Sequence, residues 1–584
     1  MVIPLAACGS ASATGPAESA ADKAFAALTQ RYVREFPALS PVAATGLGDH
    51  RFDAELDEVT PEARERSLRF NEGVLAELSR ISRGDLSRPN QVDATLLEHE
   101  ARFAIWGIQV LKEWSWNPLR YTELAGNSVY SLMAREFAPL EQRLQCAASR
   151  LEQFPRFLRD VRSTLIADRV PRIHAETAVK QNRGVLSMLD LLVKPRLGGL
   201  VPSLRDRLDR AMAAARAAVE EHHTWLEKEL LPRAAGDFRL GAERFDQKLA
   251  FLLQSGLSRQ DILRRARSEL ARVREEMYSL SKDVVLREHP DTPIPVSPSA
   301  ETRQAVIQAA LEVAYRERPE AEKLVERARE ALEAATRFVK ERDLVTVPDD
   351  PIDIIVMPEF QRGVSLAYCD SPGPLDVGQK TFYAVSPAPD DWTPAQVRSF
   401  LREYNTRSLH NLTIHEAMPG HFLQLVHSNR RSSTLRALLS SGPFIEGWAV
   451  YTEQMMADEG YYGRDPLMKI IARKWYLRGI ANAILDQSVH AGSMTREEAM
   501  KLMVEDTFQE EREAAAKWVR AQLTSAQLST YFAGYLEHAD LRREVQGAWG
   551  ADFTLKKYHD AALSFGSPPV KHVRALMLDL PIPK

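Results

Sequence analysis

His415-Glu416-Ala417-Met418-Pro419-Gly420-His421 places two imidazoles and a carboxylate within one short stretch. That combination suits a hydrolytic zinc site, where three protein ligands hold the ion and a fourth position is left for water. The ion lowers the pKa of that water to about 7, and a neighbouring carboxylate can take its proton. In the common helical form, H-E-x-x-H, the histidines stand at i and i+4 on one face. Here the second stands at i+6, which on a regular helix lies about 120° around from the first. Pro419 and Gly420 sit between them. Proline lacks the amide proton and collides with the carbonyl four residues back, that of His415, while glycine accepts the angles that follow such a break. The stretch therefore predicts a helix that bulges at this point, returns His421 beside His415, and resumes along Phe422, Leu423, Leu425 and Val426. A coincidental His-Glu pair, in a chain with 14 histidines, is the competing reading.

A third ligand decides between them. Phe444-Ile445-Glu446-Gly447-Trp448-Ala449-Val450-Tyr451-Thr452-Glu453 follows, and its spacing predicts a helix with Trp448, Tyr451, Thr452 and Met455 on one side. Glu446 and Glu453, two turns apart, share a face. A carboxylate opening an apolar, aromatic helix is costly to bury without a partner, and a metal would be that partner. The alternative is a solvated helix start, where an acid suits the dipole.

These motifs, H-E-x-x-P-G-H and then E-G-W-A-x-Y-x-E, resemble the domain-of-unknown-function family 885 (DUF885), bacterial proteins similar to the gluzincin metallopeptidases. Further segments carry the resemblance: Phe36-Pro37 through Pro41, Ala44, Gly46, Gly48 and Asp53; Phe238-Arg239-Leu240-Gly241 with Phe245 and Leu249; Gln527-x-x-x-Tyr531-x-x-Gly534; and Tyr558-His559-Asp560 with Gly566 and Pro569. It extends from about residue 25 onward. It implies one Zn²⁺ per chain on His415, His421 and Glu446, with Glu416 as general base. The fold it implies is mostly α, a large helical zincin-like metallopeptidase fold with a small β-sheet next to the zinc-binding helix. One segment departs from the family. At Asn482-Ala483-Ile484-Leu485-Asp486-Gln487-Ser488-Val489-His490 the family usually carries arginine first and Asp-Thr-Gly-x-His last. Asp486 and His490 are kept; Asn482, Gln487 and Ser488 are not, which puts substrate specificity rather than activity in question.

The expected chemistry is hydrolysis of peptide bonds, on short peptides, by metal-activated water with Glu416 accepting the proton. The tetrahedral oxyanion needs a further donor. Tyr531 and His559 are the candidates, since the resemblance puts both in recognisable motifs; the alternative for each is a packed core residue. His490, Asp486 and Glu453 are the candidates for groups that hold the ligands in place, a role metal-bound histidines usually require. His410 and His427 are spare imidazoles nearby. Two other functions remain open: a metal-dependent amide or ester hydrolase on a non-peptide substrate, and an inactive cell-envelope lipoprotein that binds peptides.

The remaining chain fits a large protein with an ample core: 584 residues, 45% hydrophobic, 27% charged, net charge −4. No basic, aromatic-rich face calls for nucleic acid, and no apolar run approaches the roughly 20 residues of a spanning helix. Three cysteines, Cys8, Cys146 and Cys369, exclude a disulfide scaffold. Leu5-Ala6-Ala7-Cys8 resembles a lipoprotein lipobox, with Gly9 to Ala20 as a flexible tether; residues 1–20 are then a truncated signal and tether, and a lipid anchor at Cys8 is the sole membrane contact expected. Met1 to Pro4, however, holds no Lys or Arg and is too short for a working signal peptide. Either the true start lies upstream and the protein is exported to the periplasm or anchored to the envelope, or the match is accidental and it is cytoplasmic.

Helical spacing recurs at Phe25, Leu28, Tyr32 and Phe36, ending at Pro37. It recurs at Leu204, Leu208, Met212, Ala215, Val219 and Leu226, ending at Pro232, and along the charge-rich Arg259 to Lys282. Residues 21–584 read as one large helical domain, with a proline-rich internal loop or hinge near 286–300. Ile352 to Val356, Val364 to Tyr368 and Thr381 to Val385 read as short strands. The resulting sheet either binds substrate by strand addition at an exposed edge or only braces the zinc-binding helix.

Overall fold

A computed structural model describes residues 19–357, 367–389, 392–431 and 433–583. Cys8, in the run that resembles a lipobox, lies outside them. The first helix, Ala20–Glu35, begins where the tether was expected to end, capped by the Ser19 hydroxyl accepting from the Asp22 amide at 2.9 Å. It buries Phe25, Leu28 and Tyr32, the face that the spacing predicts.

Helix packs on helix through most of the molecule. In the N-terminal half, Leu140–Thr164 and Pro202–Trp225 run together over a core that includes Leu144, Leu151, Phe154, Leu208 and Ala215. The second helix passes into a wider turn at Leu226–Leu230 and ends at Arg233, so Pro232 falls in its last turn. The proline-rich segment after Glu288 is a loop. It joins Arg259–Glu288 to Ala300–Arg316, and the ion pairs Arg303–Glu275 and Arg316–Glu288 tie the two helices together on either side of it. Further on, Pro466–His490 is apolar nearly all round and buried on nearly every face, as such a helix must be. Its charged residues are compensated: Lys474, fully buried, donates to the equally buried Glu403 at 2.8 Å.

The strands are Ile352–Val356 (β1), Ala367–Asp370 (β2) and Thr381–Val385 (β3), in the order β1-β3-β2. β3 pairs parallel with β1 and antiparallel with β2, so Tyr383 stands opposite both Ile354 and Cys369. The second strand is described from Ala367 onward; residues 364–366, where its apolar run begins, lie outside the described residues. The N-terminal half holds β2 in place. Arg135 and Tyr130 both bond the Asp370 carboxylate, at 2.7 and 2.9 Å. In the loop that follows, the Leu375 amide donates to the Leu47 carbonyl at 3.0 Å. The Tyr383 hydroxyl meets Thr413 at 3.2 Å, which seats the sheet against the helix that carries His415. Among the described residues no helix is long and apolar enough to cross a membrane.

Candidate metal centre

His415 sits at the end of the helix Thr406–Glu416, and His421 opens the helix His421–Arg431. The expected bulge is instead a complete break. Ala417 leaves helical geometry, the Met418–Pro419 peptide is cis, and a new helix starts at His421. Hydrogen bonding explains why the break holds. The amides of Ala417 and Met418 both donate to the Thr413 carbonyl, and Gly420 donates to Ile414 at 2.9 Å, so Pro419 leaves no donor wanting. Gly420 is required by space: a Cβ there would lie 1.9 Å from the His415 carbonyl oxygen. The outcome for the side chains is the expected one, with the two imidazole rings 4.7 Å apart and nearly perpendicular.

Glu446 reaches both rings from the first turns of the helix Gly442–Asp458. Its Oε2 lies 3.7 Å from His415 Nε2 and 3.5 Å from His421 Nε2. Each separation is long for a hydrogen bond. Two ligands about 2.0–2.1 Å from a tetrahedral ion sit roughly 3.3 Å apart, close to these spacings. One ligand atom from each of His415, His421 and Glu446 falls within 4.8 Å of the others. Glu446 Oε2 is buried and accepts no hydrogen bond. An unpartnered buried carboxylate oxygen facing two imidazole nitrogens fits a divalent cation, and the N,N,O donor set fits zinc.

The charges around this point are strongly coupled. Burial opposes the Glu446 carboxylate, yet the imidazoles of His415 and His421 beside it hold its pKa well below the usual range. Burial likewise opposes a protonated His415, and Glu446 and Glu453 override it upward. Glu453 does what its place two turns from Glu446 suggests: its carboxylate bonds His415 Nδ1 at 2.6 Å, while Asn411 donates to its other oxygen at 2.6 Å. That fixes the His415 ring with Nε2 turned to the centre. Glu416 is buried beside the site. Burial raises its pKa, Glu446 adds to the rise, and the imidazoles oppose it.

A cavity of about 1950 Å³ opens from His415 and Glu416 toward the N-terminal half. Tyr531, on the helix Ser529–Trp549, lines it. Its hydroxyl accepts from Arg520 at 3.3 Å, and burial and Glu446 raise its pKa, which keeps the phenol protonated and able to donate. The other candidates stand away from the three clustered residues. His559 is fully buried behind Trp448, with Nδ1 on the Leu344 carbonyl at 2.6 Å and Nε2 on the Tyr451 hydroxyl at 2.8 Å; both nitrogens are engaged and the ring does not reach the cavity. Asp486 and His490 do not touch the ligands. Asp486 accepts from the amides of Ala526 and Ser529, and His490 Nε2 bonds the carbonyls of Ala521 and Thr524, so together they fix the turn that enters the Tyr531 helix. His410 and His427 are taken up by the Tyr461 hydroxyl and the Thr346 carbonyl.

The family model for DUF885, described as a bacterial protein of unknown function, matches residues 41–577. The chain belongs to the DUF885 family. Comparison with the curated proteins found no match. Among solved structures, this DUF885 chain resembles a "putative lipoprotein of unknown function" from Shewanella oneidensis, at 33% identity and TM-score 0.80, over 95% of this chain and 99% of that one. A second structure, described as a "putative lipoprotein" from Colwellia psychrerythraea, shares the fold at 18% identity and TM-score 0.78, over 96% of this chain and 99% of that one.

The sequence left three cations of the DUF885 cavity unread. Arg478, Lys517 and Arg520 all line it. They lie on the helices Pro466–His490 and Glu511–Leu523, and only the folded chain brings them into the cavity that His415 and Glu416 line. The signal within reach was the substitution at Asn482, whose side-chain oxygen accepts from Lys517 at 3.0 Å.

Proposed function

We propose that this protein is a zinc-dependent hydrolase that cleaves peptide bonds in short peptides, with the mostly helical fold serving as a zincin-like peptidase scaffold. The convergence of His415, His421 and Glu446 within 4.8 Å, beside the buried Glu416 and at the end of a large cavity, is the observation that carries it. A zinc ion on those residues supplies Lewis acidity, which acidifies water and polarises a carbonyl. Glu453 keeps His415 oriented through Nδ1. Glu416 accepts the water proton and returns it to the leaving amine, a role that its burial and raised basicity suit. Tyr531 donates its hydroxyl proton in a hydrogen bond to the oxyanion, and Arg520, bonded to that hydroxyl, strengthens the donor.

The cavity supports a substrate larger than a single amino acid, since ordinary small-molecule sites occupy about 300–1,000 Å³. Among the described residues β2 is an edge strand, and Ala367 and Tyr368 line the cavity. That supports the strand-addition reading over a sheet that only braces the helix. The description of the relatives as lipoproteins, together with Leu5-Ala6-Ala7-Cys8, supports export and lipid anchoring to the envelope.

Metal analysis of the purified chain together with an unbiased peptide-library digest tests the proposal. One zinc per chain and cleavage abolished by a chelator are expected, with cleavage restored on adding zinc. Stoichiometric zinc with no peptide consumed would remove the peptidase reading.

A further inference from the structure

Arg520 and Lys517 differ from the charges around them. Arg478 is matched on both sides, by Glu403 at 2.8 Å and Glu513 at 2.7 Å. Glu403 also serves Lys474, and Glu510 pairs with Arg402. The carboxylates of this wall are thus committed. Among the described residues neither Arg520 nor Lys517 has a carboxylate within ion-pair distance. Arg520 bonds only neutral groups, the Gln527 side-chain oxygen at 3.1 Å and the Tyr531 hydroxyl at 3.3 Å. Lys517 is buried, and its ammonium has one neutral partner, Asn482, at 3.0 Å. Burial, with the charges of Arg478 and Arg520, pushes this lysine well below its ordinary range.

A buried ammonium with one amide for company is costly to keep, and an unmatched guanidinium beside it adds to the cost. Both groups line the cavity that holds His415 and Glu416. An anion arriving there meets an arginine fork, the side chain suited to a carboxylate. Glu446 is the carboxylate whose charge favours the Arg520 guanidinium, and in the proposed enzyme that carboxylate is spent on the ion. We propose that Arg520 and Lys517 form a subsite for the C-terminal carboxylate of the peptide substrate. This rests on the peptidase reading and deepens it. Because Arg520 is bonded to Tyr531, the recognised carboxylate lies close to the scissile bond, and the enzyme removes residues from, or cuts short peptides near, the C-terminal end.

The test uses the purified full chain and one set of short peptides in three forms: free C-terminus, amidated C-terminus, and amidated C-terminus with an internal Glu or Asp. Cleavage is followed by mass spectrometry. The free acids are expected to be cut at least about tenfold faster, as kcat/KM, than the matching amides. In Arg520→Met and Lys517→Met that ratio collapses toward one, with zinc content unchanged, and Arg520→Lys restores part of it. Equal cleavage of acids and amides by the wild type overturns the subsite and leaves the peptidase reading standing. A preference for the internal acid regardless of the end overturns the C-terminal assignment. If no peptide is cut, the peptidase reading fails, and equilibrium dialysis with the same peptides decides the subsite. Retention of the free acids alone, lost in Arg520→Met, upholds it; equal retention or none overturns it.

Discussion

In the proposed hydrolase Glu416 and Glu453 flank His415 with opposite duties, one taking the proton of the reacting water and one holding the ring. Glu416 supplies no ligand atom to the cluster, so Glu416→Gln should keep its zinc. Turnover should fall by about 10²–10⁴-fold or more, the usual worth of general acid–base catalysis. Metal content and kcat measured on the same preparation check this; full zinc with undiminished kcat takes Glu416 out of the mechanism. Glu453 acts through His415 Nδ1 at 2.6 Å. Glu453→Gln should weaken zinc binding by about 10–100-fold, read by competition with a chelator, while kcat at saturating zinc changes less. The clustering of His415, His421 and Glu446, with Glu453 on His415, was legible in the chain because such a cluster needs few residue types at short, constrained spacings. His559 was not legible. A motif letter does not say which way a buried ring faces, and here both nitrogens are satisfied by the Leu344 carbonyl and the Tyr451 hydroxyl.

Helices bring the candidate ligands together, and two glycines set how near the Glu446 helix lies to the Tyr531 helix. The Glu446 helix crosses the Tyr531 helix at Gly447 and Gly534, where a Cβ on Gly447 would lie 2.2 Å from the Gly534 carbonyl carbon. Alanine at 447 gains up to about 1 kcal/mol in helix propensity. It also forces two backbones apart, an overpacking that costs typically about 1–3 kcal/mol or more. The crossing should win: Gly447→Ala is expected to lower the urea midpoint of unfolding and, because Glu446 is the adjacent residue, to reduce zinc occupancy as well. A variant as stable as wild type with full zinc would show that the helices can separate freely. Element identity was readable from periodicity, since the faces of Ala20–Glu35 and Pro202–Trp225 are buried as their spacing predicts. The helix break was not, because a bulge and a full break place Pro419 and Gly420 identically in sequence. What separates them is the pair of amides that converge on the Thr413 carbonyl.

Across the whole molecule, the N-terminal half is fastened to the sheet edge by contacts that no local pattern announces. His50 and Asp376 are 326 residues apart, yet the imidazole is held between Asp53 at 3.1 Å and Asp376 at 3.2 Å and stacks on Phe137. Asp53 in turn accepts from Thr45, whose hydroxyl meets the fully buried Arg150. Gly48 packs against the Asp376 backbone, so this junction positions the loop leaving β2 and through it the strand beside Glu416. Burial alone would lower the His50 pKa, but the two aspartates outweigh it and raise the imidazole to about 9 from an ordinary 6.5. A folded-state pKa above the unfolded one means that folding takes up a proton. The stabilisation is therefore complete below about pH 6.5 and is lost as pH rises through 9. Thermal melts of wild type and His50→Gln between pH 6 and 10 should differ most at pH 6 and converge above pH 9. A gap in Tm that stays constant over that range would mean that shape and stacking on Phe137, not charge, account for the junction's stability.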